Sequence, residues 1–429
     1  MSAQIVEADL TWTGDGFAPG VRVAVSPDGR IAEVGSIPRP ATRELRHQAL
    51  LPGFVSAHSH AFQRGLRGRG ERFPDGAGSF WTWREAMYDL VLHLTRDRFT
   101  DLCTQAFREM RSAGITTVGE FHYLHHTTGT DDWAFDDAIL DAARAAGIRI
   151  VLLNALYQTG GIGRPLGPAQ QRFRARTTSA YWTQMERLRS RLDPSRESLG
   201  AAVHSIRAAP LDDIASMQQE ARRQDLALHI HVEEQQKEID ESLAAYAKKP
   251  MAVLNSRLPT AEGVTAVHCT HTSPADLERF LAAGGAVCLC PLTEANLGDG
   301  LPNLAPALPF DGRLSLGTDS NARLSLLEEM RWLEYGQRLR QQSRGVIVDA
   351  RGHSARPLLH AATAGGANAL GVPTGAIEPG AWADFVSVDL GHPSLADVEA
   401  GCLLDALVFG AGNDVILATC VGGEWSDTR

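Results

Sequence analysis

Leu51-Pro52-Gly53-Phe54-Val55-Ser56-Ala57-His58-Ser59-His60 is the stretch on which the reading of this chain turns. A short apolar run ending in polar groups fits a buried strand that delivers side chains at its carboxyl end. Side chains two apart on a strand share a face and stand roughly 7 Å apart. Two imidazoles so placed can converge on one ion at about 2.0–2.1 Å. His-x-His alone is a weak signal, since two packed core histidines would satisfy it equally. Its weight depends on what the other strand ends carry.

Working outward, extended runs alternate with amphipathic helical segments from Leu51 onward, the pattern of a parallel α/β architecture. Eight strands are expected: Leu51–His58, Ile115–Phe121, Ile148–Leu156, Gly200–Ile206, Ala227–Val232, Val264–Cys269, Ala286–Cys290 and Leu314–Thr318. Helices are expected at Phe99–Ala113, Phe135–Ala146, Tyr181–Leu192, Asp212–Gln224 and Pro274–Ala283; Ser273 can cap the last of these, and Pro274 suits its first turn. Eight alternations predict a (β/α)8 TIM barrel over residues 51–372 rather than an open doubly wound sheet. No Gly-x-Gly-x-x-Gly or P-loop follows the first strand. The flanking pieces, 1–50 and 373–429, read as short strands, including Val21–Val25, Ile31–Val34, Asp384–Asp389, Ala406–Phe409 and Asp414–Val421. Neither piece can bury a core alone, so they are expected to pair into a small composite β-sandwich domain.

With 429 residues, 44% hydrophobic and 21% charged, the composition is that of an ordinary globular chain. A formal net charge of −10 argues against nucleic acid as a partner, but a few arginines in a cleft still suit a small anionic substrate. The six cysteines are scattered in apolar stretches and read as buried reduced thiols. Met1–Trp12 lacks the basic and apolar segments of a signal peptide, and no apolar run is long enough to span a membrane. The expectation is a soluble cytoplasmic protein with no membrane partner.

The other strand ends strengthen the histidine pair. The fifth strand reads Leu226-Ala-Leu-His-Ile-His231 and continues to Glu233-Glu234; the sixth ends at His268 and the eighth at Asp319. Active sites of barrels lie at the carboxyl ends of the strands, where all these groups fall. His58, His60, His231, His268 and Asp319 are therefore candidates for one metal-centred site, with His231 able to supply a third ligand. His229 lies deeper and reads as a core histidine. Cys288 and Cys290 share a face, but no other soft ligand lies nearby in sequence, so they read as buried thiols. His122 can face the site, while His125 and His126 read as solvated loop. Arg64, Arg67, Arg69 and Arg72 form a basic run that is ordinarily a solvated loop, with some scope for steering anions. Arg84 and Arg207 are the better candidates for a carboxylate, whose geometry a guanidinium matches.

The strand-end set resembles the amidohydrolase superfamily. The strings His58-Ser-His-Ala-Phe-Gln63-Arg64, Ser79-Phe-Trp-Thr-Trp-Arg84-Glu85, Thr293-Glu-Ala-Asn-Leu-Gly-Asp-Gly300 and Glu328-Glu-Met-Arg-Trp-Leu-Glu-Tyr-Gly-Gln337 are similar to those of the formimidoylglutamate deiminases of histidine degradation. The likeness spans essentially the whole chain. It implies one zinc ion on His58, His60, His231 and Asp319, although such a ligand set also accepts iron. It implies catalytic roles for Glu234, His268 and Asp319, with Asp319 also accepting a proton. Gln63, Arg84, Tyr123, His204 and Arg207 are implied to contact the substrate. No lysine occupies the bridging position of two-metal members, which agrees with a single ion. Glu233 departs from the family motif, where a small residue is common; alternation is expected to turn it away from the Glu234 side, yet a like charge next door can raise the pKa of Glu234.

The implied reaction is hydrolysis of N-formimidoyl-L-glutamate to N-formyl-L-glutamate and ammonia, by a homodimer. Two alternatives stay open on the sequence: another mononuclear-metal aminohydrolase acting on a nucleobase or related heterocycle, and a non-catalytic protein that kept the fold.

Overall fold

The computed structural model describes residues 4–71, 80–308 and 312–428. Arg72 of the basic run and Ser79 of the second family string lie outside these. Eight strands follow one another round a parallel sheet in chain order: Phe54–Ser59, Ile115–His122, Arg149–Leu156, Glu197–Ser205, Leu228–Val232, Val264–His268, Ala286–Leu289 and Leu314–Leu316. The first, second and third are buried at every position, because helices cover one face and the barrel interior the other. The sheet closes where Thr318 N and Asp319 N donate to His58 O at 2.9 and 3.1 Å and His60 N donates to Asp319 O at 2.8 Å. Gly317 permits this approach, for a Cβ there would sit 2.7 Å from both the Cβ and the carbonyl oxygen of His58. Closure thus joins two of the candidate ligands by backbone.

The helices lie close to their expected places, at Arg96–Ser112, Ala134–Ala146, Thr178–Arg189, Leu211–Arg223 and Pro274–Ala282. Ser273 caps the last by accepting from Asp276 N at 3.2 Å. An additional helix, Phe80–His93, stands between the first and second strands and carries Arg84.

The two ends of the chain build a second sheet of eight strands. Its path runs Glu424–Asp427, Ile416–Val421, Phe385–Asp389, Arg43–Pro52, Gln4–Trp12, Arg22–Val25 and Ile31–Gly35, with Phe17–Ala18 paired beside Gln4–Trp12. All its pairings are antiparallel except that of Gln4–Trp12 with Arg43–Pro52. Ala406–Phe409, expected as a strand, is instead part of the helix Leu403–Gly410. Leu403, Leu404, Leu407 and Val408 are buried at helical spacing, and Phe409 stacks 6.0 Å from Tyr335. A buried bidentate pair, Arg149 Nε and Nη2 to Asp384 at 2.7 and 3.0 Å, ties the third barrel strand to the terminal sheet. Among the described residues no helix is long and apolar enough to cross a membrane.

Candidate active site

The histidines and carboxylates singled out in the sequence meet at the carboxyl ends of the strands. His58 lies within the first strand and His60 just beyond it; His231 is in the fifth, His268 ends the sixth, and Asp319 follows the eighth. Three turns at these ends pass through left-handed backbone: Glu233 (φ 54°), His268 (φ 73°) and Asp319 (φ 44°). Such conformations cost about 1–3 kcal/mol each for residues with a side chain, and they gather where function needs them.

The donor set fits a metal ion. His58 Nε2 and His60 Nε2 each lie 3.4 Å from Asp319 Oδ1, and His231 Nε2 lies 3.1 Å from His58 Nε2. Ligand atoms at about 2.0–2.1 Å from one tetrahedral centre stand roughly 3.3 Å apart, so these separations are those of a coordination shell. The tautomers agree. His60 Nδ1 donates to Phe121 O and His231 Nδ1 to His204 O, both at 2.8 Å. A carbonyl oxygen only accepts, so each Nδ1 carries the hydrogen and each Nε2 turns a lone pair to the centre. Burial pushes His58 down to about 3 and His60 and His231 in the same direction, which keeps the rings neutral as ligands must be. Burial opposes ionisation of Asp319, but His58, His268 and His60 outweigh it and hold its carboxyl below the usual range.

Two further groups stand beside this centre. His268 Nε2 lies 3.9 Å from both Glu234 Oε1 and Asp319 Oδ2, and its Nδ1 lies 3.3 Å from Glu294 Oε1. Burial works against a charge on His268, yet the Glu234, Glu294 and Asp319 carboxylates raise it well above the ordinary imidazole range. Burial raises Glu234, His268 opposes, and Asp319 adds to the rise. Glu233 has no visible part in that. Its carboxylate turns away and accepts from Met251 N at 2.8 Å.

The model of the amidohydrolase family matches residues 49–426. The chain belongs to the amidohydrolase family. It is 40% identical over 432 residues to a formimidoylglutamate deiminase of Pseudomonas aeruginosa, an alignment covering 99% of this chain and 94% of that protein. Among solved structures it is similar to an amidohydrolase from Brucella melitensis, with TM-score 0.92, 33% identity, and coverage of 99% and 95% of the two chains. It is also similar to an adenosine deaminase from Xanthomonas campestris with bound zinc, with TM-score 0.81, 25% identity, and coverage of 98% and 92%.

In this amidohydrolase one cleft opens over the cluster. His60, Gln63, Arg84, Tyr123, His204, Arg207, His231, Glu234, His268 and Asp319 all line it, while His58 is buried beneath. Gln63 Nε2 donates to Tyr123 OH at 2.9 Å. Arg84 Nε donates to Tyr88 OH at 2.7 Å. His204 packs among the rings of Tyr123, Tyr157 and His231 at 4.8–5.3 Å. Phe80, Trp83, Tyr88, Tyr157 and Phe173 complete the aromatic wall. Tyr157 follows the third strand directly, so the strand-end rule would have found it; Tyr88 sits one helical turn from Arg84. Glu120, in the second strand, supports the site from beneath. Burial lifts its carboxyl to about 8, and its Oε1 accepts from Ala61 N at 2.7 Å, fixing the turn after His60.

Other expectations change. His125 and His126 are fully buried rather than solvated, and His122 faces Asp136 rather than the cleft. Asp136 explains His122 and His125, because a buried carboxylate needs donors and these two rings supply them, whereas His126 donates from Nε2 to Arg174 O at 2.8 Å. Arg64 and Arg67 pair with Glu109 and are not free to steer anions. His229 is a core histidine donating from Nε2 to Ala369 O at 2.8 Å.

Proposed function

We propose that the chain hydrolyses N-formimidoyl-L-glutamate to N-formyl-L-glutamate and ammonia. The observation that carries this reading is that Arg84, from the helix after the first strand, and Arg207, from the end of the fourth, line the same cleft as Glu234 and the histidine–aspartate cluster. Two guanidiniums set around one reacting centre suit a substrate with two carboxylates. The kinship with the Pseudomonas aeruginosa deiminase supports the same choice.

His58, His60, His231 and Asp319 would hold one divalent ion, zinc by preference, as in the zinc-bound relative; iron suits the same donors. When bound, such an ion acidifies water to near neutrality and so supplies the nucleophile. The chain's own groups do the rest. Arg84 and Arg207 clamp the carboxylates and place the formimidoyl carbon against the cluster, which can account for several kcal/mol of the barrier. Asp319 takes a proton from the attacking water. His268 stands between Asp319 and Glu234, 3.9 Å from each, and orients that water. Glu234, whose burial favours its protonated form, delivers a proton to the imine nitrogen. The nitrogen gains two hydrogens in all and leaves as ammonia, while the water oxygen stays on carbon as the formyl group. The working unit in this reading is a cytoplasmic homodimer.

Metal analysis with an ammonia-release assay on formimidoylglutamate, guanine and cytosine tests the reading. Release from formimidoylglutamate alone, by protein holding one metal ion per chain, is the expected result. Release from a nucleobase instead would overturn the substrate assignment, and no release from any would overturn the enzymatic one.

A further inference from the structure

Behind Arg207 lies a carboxylate for which the reaction above has no use. Glu238 stands in the first turn of the helix Gln236–Tyr246 and is 1% exposed. Neither of its oxygens has a hydrogen-bond partner, an arrangement rare enough for a buried carboxylate to need a reason. The charged group it meets is Arg207, whose Nε lies 3.9 Å from Glu238 Oε1 and has no hydrogen-bond acceptor of its own. Arg207 lines the cleft and Glu238 does not. The carboxylate therefore addresses the inner edge of the guanidinium, away from the substrate side.

We infer that Glu238 is the resident counter-anion of Arg207, a positioning residue that holds the guanidinium toward the cleft and takes up a proton when a substrate carboxylate engages it. The inference rests on the anionic-substrate reading above. Its physical basis is charge balance. Without ligand, Arg207 and Glu238 neutralise each other in a buried place where an isolated charge would be costly. An arriving carboxylate puts two anions on one cation. No N–H holds Glu238 in its ionised form, so protonating it is the least costly way to restore balance.

The surroundings favour this exchange. Burial is the main cause that lifts Glu238 to about 7; Arg207 opposes, Glu234 and Glu233 add to the rise, and His268 opposes weakly. Those four, from the ends of the fourth, fifth and sixth strands, are the charged groups that act on it most strongly. Glu241, one turn further along the helix, is paired with Arg164, and Lys249 acts on Glu233.

Glutarate tests the inference, because it offers two carboxylates and no reacting carbon. Calorimetric titration of the metal-loaded protein at pH 6 and pH 8, in buffers of different ionisation enthalpy, reads both affinity and proton uptake. Wild-type affinity should fall about tenfold from pH 6 to pH 8, as one linked group requires, with net proton uptake near pH 7.5. In Glu238→Gln the fall should vanish and the uptake should drop by the same share. An unchanged pH slope and uptake in that variant would overturn the inference. Should the variant not fold, the wild type and Glu234→Gln still decide it: a protonated-carboxyl band should appear in the infrared difference spectrum of both on adding glutarate. Its absence from either overturns the inference. A preparation that releases ammonia from formimidoylglutamate but shows no linkage refutes the role of Glu238 alone. One that neither binds glutarate nor turns over formimidoylglutamate refutes the functional reading first, and this with it.

Discussion

Among the described residues of this barrel lie two clusters of buried histidine and carboxylate, and their atoms are spaced alike. His58, His60 and Asp319 form one; His122, His125 and Asp136 form the other, and in each the donor atoms lie within 4.8 Å of one another. They differ in what their lone pairs are doing. Asp136 Oδ1 accepts from His122 Nε2 at 3.0 Å and His125 Nδ1 at 2.8 Å, and Oδ2 accepts from Asn154 and Gln184 at 2.8 and 2.7 Å. Both carboxylate oxygens of Asp136 are spoken for, and the cluster joins a loop and two helices to the barrel wall. In the first cluster the backbone takes the Nδ1 hydrogens of His60, and of its neighbour His231, leaving the Nε2 lone pairs facing inward. Residue type and distance do not separate a metal site from a structural network; the direction of the hydrogen bonds does.

Substitution should affect the two clusters differently. The largest effect expected is that of His58→Ala, which should leave the protein without metal and without activity. The drop in metal affinity should exceed the roughly 10–100-fold that loss of a mere supporting group costs, as measured by metal content after dialysis. Asp136→Asn should retain its metal; loss of metal from that variant would refute the distinction between the clusters.

Glu234→Gln comes next. Its kcat should fall by about 10²–10⁴-fold with metal content unchanged, since the side chain stands beside the proposed ligands and is not one of them in this reading. Steady-state rates and metal analysis on one sample check both halves, and normal turnover would remove Glu234 from proton transfer.

Asp136→Asn tests the structural cluster through stability. Removing a buried, fully paired charge should cost about 3–5 kcal/mol in urea unfolding at neutral pH. Burial raises Asp136, but His125 and His122 outweigh it and hold the carboxyl far below its ordinary value. A carboxyl depressed in the folded state stabilises above its unfolded pKa and loses that contribution as pH falls. The gap between wild type and Asp136→Asn should therefore narrow as unfolding is measured from about pH 5 down to about pH 3. A gap that widens in acid would contradict the assignment.

The smallest effect concerns binding. Arg207→Met should raise KM for formimidoylglutamate by about 10–100-fold, the scale of one charged hydrogen-bonding partner, with kcat little changed. An unchanged KM would take Arg207 out of the clamp.

Much of this was legible in the string. Alternating strands and helices, with histidine or aspartate at the strand ends, indicated the barrel and its open face, because periodicity and strand polarity are local properties. The capped start of Pro274–Ala282 was equally local. The failures were not local. Ala406–Phe409 is apolar enough for a strand, yet it lies in a helix whose Leu403, Leu404, Leu407 and Val408 are buried and whose Phe409 stacks on Tyr335, distant in sequence. His125 and His126 look like loop residues until Asp136 and Arg172 are placed around them.

The sequence by itself determined which residues could carry the chemistry, since strand period and residue type are written along the chain. Only the tertiary structure decided which histidines keep a free lone pair, which arginine edges face the cleft, and which carboxylate, Glu238, waits behind one of them. The reason is that hydrogen-bond direction and burial depend on partners distant in sequence. His58 and Asp319, far apart along the chain, meet because Gly317 lets the last strand close against the first.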